Sequence, residues 1–222
     1  MFEFLPQYYP LILQGLQLTI EITLFGVFLG LGIGTLIAVV DIYGNKAAKG
    51  IIAVYVEFFR GSPLFIQLFI AEYTVPAITR IPINPYVTAF VVFALNSAAY
   101  QKGYIKGSIE TVFEDQMAAG LSTGMSRFQT LRHVIIPQAL RIVIPSWTNE
   151  FCSLTKSSSV VAYVGLFDLV GAGREIIGLT YDVLPVWLVI AGIYLAWITG
   201  FTKLMDIIYE KKKIPGVELL LQ

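Results

Sequence analysis

The chain has 222 residues, of which 56% are hydrophobic and 14% are charged, and its mean hydropathy is +0.74. Soluble domains carry about 25% charged residues, so this composition indicates an integral membrane protein and excludes an ordinary soluble domain. The formal net charge is zero, which gives no reason to expect a nucleic-acid partner, and a single cysteine and a single histidine leave no cluster for a metal site.

Five stretches are apolar enough to be membrane spans, each of which needs about 20 predominantly apolar residues. In chain order they are 11–40, 51–77, 86–100 (with a helix that continues to about residue 109), 134–154 and 183–208. The stretch 160–170 is too short to span, and we interpret it as a short helix or a re-entrant segment buried against protein. The sequence therefore predicts an all-α integral membrane protein with about five transmembrane helices in a single domain, residues 1–222.

Lysine and arginine are concentrated on one side of these spans, and an excess of them marks the cytoplasmic side. Of the 15 Lys and Arg residues, eleven lie on the side that the chain reaches after spans one, three and five. Only Arg80, Lys156 and Arg174 fall on the opposite side, and Arg60 lies inside the second span. With an odd number of spans, this pattern predicts that the N-terminus is outside and the C-terminus is cytoplasmic.

A stripe of small residues runs along the first span, formed by Gly26, Gly30, Gly34 and Ala38 at four-residue spacing. Such a stripe lets another helix backbone approach closely. Two interpretations remain open: packing within the chain, which is the more common case, and contact with another subunit.

A polar segment, residues 110–133, connects the third and fourth spans on the predicted cytoplasmic side. Residues 114–121 favour a helix, and Gly124 breaks it. Ser126 and Gln129 then form the pattern of a capping box, which begins a second helix. The sequence therefore predicts helix, tight turn, helix at the inner face of the membrane.

The small residues Ala118, Ala119 and Gly120 at the end of the first of these helices would suit insertion into a groove of a partner protein. The alternative is a surface loop that only connects two spans. The length of the segment and its small-residue face favour the docking interpretation.

The segment also resembles the cytoplasmic loop of ABC importer permeases, in which a glutamate, two alanines and a downstream glycine precede an apolar run that ends in proline. Gly124 is followed, after nine residues, by VIIP at 134–137, which matches that spacing. The chain departs from the family pattern at Ala118, where the loop glutamate is expected. Further strings resemble the polar amino acid subfamily, the histidine- and glutamine-type permeases: EFFRGSPLFIQ at 57–67, NSAAY at 96–100, PQALR at 137–141, NEF at 149–151, KSSS at 156–159 and GLFDL at 165–169.

This resemblance implies a type I importer permease fold with a coupling helix that seats on a separate ABC ATPase subunit. It also implies a second permease subunit, in a homodimer or a heterodimer, and an extracytoplasmic solute-binding protein. The residues it assigns to ATPase coupling are Gln116, Ala118, Ala119, Gly120, Gly124, Ser126 and Pro137. The chain has no Gly-x4-Gly-Lys-Ser/Thr phosphate loop, so ATP and Mg²⁺ are expected on the partner and this subunit is expected to be non-catalytic.

Polar residues at bilayer depth are costly, about 2.5–3.5 kcal/mol for an ionisable one, and tend to face a bundle interior or an aqueous cavity. An amino acid substrate needs donors for its carboxylate and an acceptor for its ammonium group. The candidates for such a pocket are Glu150, Asn149, Asn96, Ser97, Tyr100, Arg60, Glu57 and Lys156. Several structural alternatives stay open: Glu57 and Arg60 are three residues apart and suited to a buried salt bridge, and Glu150 or the polar residues of span three also suit hydrogen bonds between helices.

The sequence therefore predicts the permease subunit of an ATP-driven amino acid importer in the cell (plasma or inner) membrane, with its basic tail at 211–213 touching anionic lipid. An ion-coupled secondary transporter or channel subunit is the alternative, but no internal repeat supports it. An intramembrane hydrolase is a third class, and the sequence offers no cluster of catalytic residues for it.

Overall fold

The computed structural model describes residues 4–213, and this part of the chain contains helices and no strand. The α-helices are α1 Leu5–Tyr43, α2 Lys46–Gly61, α3 Leu64–Phe69, α4 Val75–Thr79, α5 Pro85–Ser122, α6 Arg127–Thr130, α7 Ile136–Ile142, α8 Ile144–Ser157, α9 Leu169–Thr180 and α10 Val183–Lys212. Two π-helical turns, Ile70–Thr74 and Leu131–Ile135, and a 3₁₀ segment, Ser158–Val164, join some of them. The predicted all-α class is confirmed.

Within residues 4–213, two helices are long and apolar enough to span a bilayer by length and composition, namely α1 and α10. A third span is formed if α2 and the stretch Leu64–Thr79 are counted together across a bend of 107°. The predicted count of five is not confirmed by this criterion. The region of the third predicted span lies in α5, which continues through charged residues to Ser122, and the fourth is divided between α7 and α8 at Val143.

The small-residue stripe of α1 packs against α5 of the same chain. A Cβ atom added at Gly30 would lie 2.9 Å from Ser97 Cβ, and one added at Gly34 would lie 3.0 Å from the carbonyl oxygen of Ala98. Ala38 is fully buried. The stripe therefore serves packing within the chain, because α5 occupies the space that a second subunit would need.

An ion-pair cluster fixes the C-terminal end of α1 against α5. Asp41 near the end of α1 lies 2.9 Å from the ammonium groups of both Lys102 and Lys106 on α5. The Asp41 side chain is only 11% exposed, so this contact is screened less than an ordinary surface pair. Glycine contacts at mid-helix and charges at the end together set the position of α1 along α5.

Helix α10 packs against α8 through aromatic side chains. The rings of Phe151 on α8 and Phe201 on α10 are stacked with centroids 3.5 Å apart, and Trp197 and Trp147 flank them. On the side of the bundle formed by α9, a Cβ added to Gly15 of α1 would lie 2.5 Å from the carbonyl oxygen of Asp168. Asp168 is the N-cap of α9 and accepts a hydrogen bond from the Gly171 amide.

Gly34→Val is expected to destabilise the protein by about 1–3 kcal/mol, the usual cost of overpacking. A Cβ atom at Gly34 would already lie 3.0 Å from Ala98 O and 3.2 Å from the Lys102 amide nitrogen, and these backbone atoms cannot rotate away from the methyl groups that valine adds. The measurement is the thermal unfolding midpoint in detergent. Gly32→Val is the matched control, because nothing lies within 4 Å of a Cβ at Gly32. Equal midpoints for the two variants would contradict this packing.

Candidate translocation cavity and docking loop

The second predicted span is broken at Gly61, Ser62 and Pro63, where α2 ends and α3 begins. Proline has no amide hydrogen, so the carbonyl of Phe59, four residues earlier, loses its helical donor. A buried carbonyl without a donor costs about 1–3 kcal/mol. The break therefore needs hydrogen-bond donors from elsewhere in the fold.

Gln67 and Asn96 supply those donors. The Gln67 amide nitrogen donates to the carbonyls of Phe59 and Ser62, at 2.9 Å each, and lies 3.0 Å from the Ser62 hydroxyl. The Asn96 amide nitrogen donates to Phe59 O at 3.2 Å and to Gln67 Oε1 at 2.9 Å. Both side chains are buried. The two amides thus tie the broken span to α5.

A half-open cavity of about 620 Å³ lies beside this break, between the broken span, α5 and α8. Its lining is mostly polar, with a positive group, a carboxylate, two amides, two phenols and several hydroxyls. The residues are Arg60, Gly61, Ser62, Pro63, Leu64, Asn96, Tyr100, Tyr104, Asn149, Glu150, Ser153, Leu154 and Ser157.

The carboxylate in this cavity belongs to Glu150, which is 5% exposed. Its Oε1 accepts a hydrogen bond of 2.9 Å from the Ser97 hydroxyl, which in turn accepts one of 2.9 Å from the Gln101 amide nitrogen. The same nitrogen donates to the carbonyl of Val27 on α1 at 2.8 Å. A chain of side-chain hydrogen bonds therefore fixes Glu150 relative to α5 and α1.

The positive group belongs to Arg60, in the last turn of α2. Its guanidinium carbon lies 5.3 Å from the centroid of the Tyr100 ring, a cation–π arrangement. Among the described residues, neither Arg60 nor Glu150 has an oppositely charged side chain within ion-pair distance. The cavity thus offers one cation and one anion that do not neutralise each other through direct contact.

The polar segment 110–133 forms a helix–turn–helix with defined caps. Helix α5 ends in a Schellman motif, in which the Met125 amide bonds to Gly120 O and the Gly124 amide bonds to Leu121 O. Gly124 has φ +83°, the left-handed conformation that this motif requires at its position. Ser126 and Gln129 then form both hydrogen bonds of the predicted capping box.

The turn presents apolar side chains to the outside. Phe128 is 67% exposed and Leu121 is 43% exposed, and Ala118 and Ala119 are exposed on the same helix end. We call these four residues the loop patch. Behind it, the buried Thr130 packs on Gly120, where an added Cβ would collide with the Thr130 side chain.

Comparison with known proteins identifies the family. Residues 5–213 match the family described as the binding-protein-dependent transport system inner membrane component. The chain belongs to this family. Its members are the membrane-embedded permease components of ABC importers, so the resemblance first drawn from short strings is confirmed over almost the whole chain.

Curated relatives within this family are amino acid permeases. The chain is 32% identical over 187 residues to the glutamine transport system permease protein GlnP of Escherichia coli strain K12, which covers 84% of this chain and 85% of that protein. It is 33% identical over 195 residues to the L-cystine transport system permease protein TcyB of Bacillus subtilis strain 168, with 87% and 82% covered.

Solved structures of related permeases share the fold. An amino acid ABC transporter crystallised with histidines gives a TM-score of 0.87 at 30% identity and covers 95% of this chain and 98% of that chain. The MetNI methionine ABC transporter in an inward-facing conformation gives a TM-score of 0.80 at 19% identity, which supports the fold alone. The importer permease fold is therefore shown for this member of the family.

The fold brings together five of the eight residues predicted for a substrate pocket: Arg60, Asn96, Tyr100, Asn149 and Glu150. Ser97 lies behind the cavity wall as the hydrogen-bond partner of Glu150. Lys156 is exposed and absent from the lining, and Glu57 opens onto a separate groove on α2. The buried salt bridge considered for Glu57 and Arg60 is not formed, because Arg60 turns toward Tyr100 and Gly103 while Glu57 remains exposed.

The loop residues are placed as follows. Gln116 accepts a hydrogen bond of 3.1 Å from Gln138 in α7, and Pro137 is the second residue of α7, which follows the π-turn Leu131–Ile135. Gly120 does not present a small surface to a partner, as the sequence suggested, because Thr130 covers it. Of the three small residues, only Ala118 and Ala119 are available for docking.

Sequence reasoning assigned no site role to three polar residues that line the cavity, or to Gln67, which lies behind the break. Tyr104 lies one helical turn after Tyr100 on α5, a spacing that predicts a shared face. Ser153 and Ser157 repeat at four-residue spacing on α8 after Asn149 and line the cavity for the same reason. In the sequence, Gln67 is only an amide side chain four residues after Pro63. Its hydrogen bond to Phe59 O depends on the bend between α2 and α3, which the sequence does not show.

Gln67→Leu is expected to lower the free energy of unfolding by about 1–3 kcal/mol, because it removes a donor to the carbonyls of Phe59 and Ser62. The measurement is an SDS titration of the purified protein in mixed micelles. Gln14→Leu in α1 is the matched control, since Gln14 is exposed and forms no side-chain hydrogen bond in the described structure. A Gln67→Leu protein as stable as the control would show that the break does not depend on this amide.

Proposed function

We propose that this chain is the permease subunit of an ATP-driven importer of a polar amino acid and forms the translocation path with a second permease subunit. The observation that carries the proposal is the cavity beside the broken span, where Arg60 and Glu150 offer opposite charges without an ion pair. The relatives named above are glutamine and cystine permeases, which supports an amino acid as the substrate class.

A zwitterionic amino acid matches this cavity in chemistry. Its carboxylate suits the guanidinium of Arg60, which forms strong charge-assisted hydrogen bonds with carboxylates. Its ammonium group suits Glu150, whose Oε2 forms no hydrogen bond within the described structure. Asn96, Tyr100 and Asn149 supply neutral donors and acceptors around the two charges. Ser97 acts by orienting Glu150.

The loop patch is the proposed contact for an ABC ATPase subunit. Phe128 and Leu121 are large apolar residues exposed at a turn. The helix before the turn and the helix after it are both capped, so the turn is rigid enough to transmit a movement of the ATPase to the helices. ATP and Mg²⁺ belong to that partner in this proposal, and the permease contributes gating and passage. Eleven of the 15 Lys and Arg residues lie on the same side of the predicted spans as the loop patch. This excess supports a cytoplasmic loop, a cytoplasmic C-terminus and an outside N-terminus in the inner membrane.

The remaining partner in this proposal is an extracytoplasmic solute-binding protein, which delivers the substrate to the outer face. The ion-coupled transporter considered from sequence is the weaker candidate, because the family to which the chain belongs consists of binding-protein-dependent systems.

Phe128→Ser is expected to reduce co-purification with the ABC ATPase, and substrate-stimulated ATP hydrolysis in proteoliposomes, by about tenfold, because a buried aromatic anchor contributes 2 kcal/mol or more to an interface. His133→Ala is the control, since His133 is also exposed but lies five residues after Phe128, on another face of the helical segment. Equal ATPase recovery for both variants would place the contact elsewhere. Uptake that follows an ion gradient without any ATPase would overturn the importer proposal itself.

Glu150→Gln is expected to raise the KM for amino acid uptake by about 10- to 100-fold, since hydrogen bonds to charged groups contribute 1.5–3 kcal/mol. Glutamine keeps an acceptor for the Ser97 hydroxyl, so the fold around it is retained. The measurement is uptake of labelled amino acids into proteoliposomes that contain the ATPase. Glu210→Gln in the last turns of α10 is the control, and a KM shift of the same size in both would argue against an ammonium contact at Glu150.

A further inference from the structure

An open groove runs along one face of α1, beside Phe90 of α5. The α1 groove, as we call it, has a volume of about 750 Å³ and is formed by Glu21, Leu24, Phe25, Phe28, Leu29 and Phe90. Its apolar side chains are open to the surroundings, since Phe25, Phe28 and Leu29 are 46%, 58% and 42% exposed. Among the described residues, Glu21 is the one charged side chain in its lining.

The apolar surface continues past Phe28 toward α7 and α8. Phe28 also lines a smaller groove of about 220 Å³, which it shares with Leu31, Leu140, Val143, Ile144 and Trp147. The ring centroids of Phe28 and Trp147 are 5.4 Å apart. From Glu21 to Leu31 the two grooves follow α1 for about 15 Å. The hydrocarbon core of a bilayer is about 30 Å thick, so this length matches the depth of one leaflet.

The spacing of charges on α1 favours a position for Glu21 at the level of the lipid headgroups. The helix has 39 residues and is about 58 Å long, so it must extend beyond the hydrocarbon core. Residues 22–40 contain no charged side chain. The rise from Glu21 to Asp41 is about 30 Å, the thickness of that core. With the two carboxylates at its two boundaries, α1 crosses the core without burying a charge.

The Glu21 carboxylate is oriented but not neutralised. The Gln17 amide nitrogen, one helical turn earlier, donates a hydrogen bond of 2.7 Å to Glu21 Oε1. In the part of the chain that the structure describes, Oε2 accepts no hydrogen bond and no basic side chain lies within 4 Å of the carboxylate. Glu21 therefore presents an available acceptor with a negative charge at one end of the α1 groove.

We propose that the α1 groove binds an aminophospholipid, with one acyl chain along Phe25, Phe28 and Leu29 and the headgroup ammonium at Glu21. The groove has the same order as such a lipid, a charge at one end followed by an apolar surface as long as one leaflet is deep. The primary ammonium of phosphatidylethanolamine carries N–H donors for a charge-assisted hydrogen bond to the carboxylate. An anionic headgroup such as that of phosphatidylglycerol would be repelled.

A helix of another protein suits this surface less well than a lipid. Helix contacts in membranes are enriched in small residues, which let two backbones approach closely. The small residues of α1, namely Gly26, Gly30 and Gly34, already lie against α5. The face that remains open carries bulky side chains, between which a flexible acyl chain fits. A protein in the groove would also need a cation at the level of Glu21.

Competition between two lipids tests the headgroup preference. The full chain is purified in detergent with any subunits that accompany it. Phosphatidylethanolamine and phosphatidylglycerol with identical acyl chains are added in equal amounts, and native mass spectrometry counts the bound molecules of each. Phosphatidylethanolamine is expected to exceed phosphatidylglycerol by about fivefold, the upper end of what an exposed ion pair contributes. Equal binding of the two lipids would overturn the proposal.

Charge variants at Glu21 assign the preference to this residue. Glu21→Gln is expected to bring the ratio of the two bound lipids close to one, and Glu21→Lys is expected to reverse it in favour of phosphatidylglycerol. Glu175→Gln in α9 is the matched control, since Glu175 is also exposed and forms no ion pair among the described residues. A preference that persists in Glu21→Lys, or that Glu175→Gln removes equally, would contradict the assignment.

Fluorescence quenching in proteoliposomes locates the acyl chain. Trp147 lines the groove that adjoins Phe28, and bromine atoms on a lipid chain quench a tryptophan at close range. The membranes contain equal amounts of the two lipids, and only one of them carries bromine. Brominated phosphatidylethanolamine is expected to quench more strongly than brominated phosphatidylglycerol, and Glu21→Gln and Trp147→Phe are each expected to remove the difference.

Equal quenching by the two brominated lipids in the unmodified chain would show that the groove does not select the ammonium headgroup or that another protein covers it. Either result would overturn the proposal. Neither experiment uses substrate, ATP or an ATPase, so a failure of the importer proposal leaves these outcomes interpretable.

Discussion

The carbonyl oxygen of Phe59 is the constraint around which the candidate site is organised. Pro63 removes its helical donor, and the bilayer offers no water to replace it. Gln67 and Asn96 satisfy this oxygen from inside the bundle, which holds the broken span against α5. The cavity lies where the span bends away from the bundle. The missing amide hydrogen of Pro63 therefore accounts for the bend beside the cavity and for the buried amide side chains of Gln67 and Asn96.

Helix α5 connects this site to the loop that carries the loop patch. It is continuous from Pro85 to Ser122, and about 33 Å of helix separates Ser97 at the cavity from Ala119 in the loop patch. The glycine contacts with α1 and the pairing of Asp41 with two lysines restrain this helix along its length. A displacement of the loop would therefore move Ser97, and with it the hydrogen bond to Glu150, as part of a rigid body.

Local patterns in the sequence predicted local structure well. The capping box at Ser126 and the break at Gly124 depend only on neighbouring residues, and both are present as expected. The sequence did not decide whether Gly34 packs within the chain or against another subunit, since a small-residue stripe does not identify the helix that it contacts. The absence of a salt bridge between Glu57 and Arg60 was not predictable either, because suitable spacing on a helix permits a pair, and the Tyr100 ring on another helix draws Arg60 away. The burial of Gly120 has the same origin, since Thr130 returns over it only after the turn.

Charged side chains between the helices of this chain fall into different states, and the difference indicates what each one does. Asp41 is neutralised within the chain by two lysines, which suits a structural contact that does not change. Glu150 is oriented by Ser97 but not neutralised, and Arg60 stacks on Tyr100 without a carboxylate. A site that must bind and then release a charged ligand needs groups of this second kind, because a permanent internal partner would compete with the ligand. The unneutralised charges therefore suit the proposed path, and the neutralised cluster belongs to the framework that positions it.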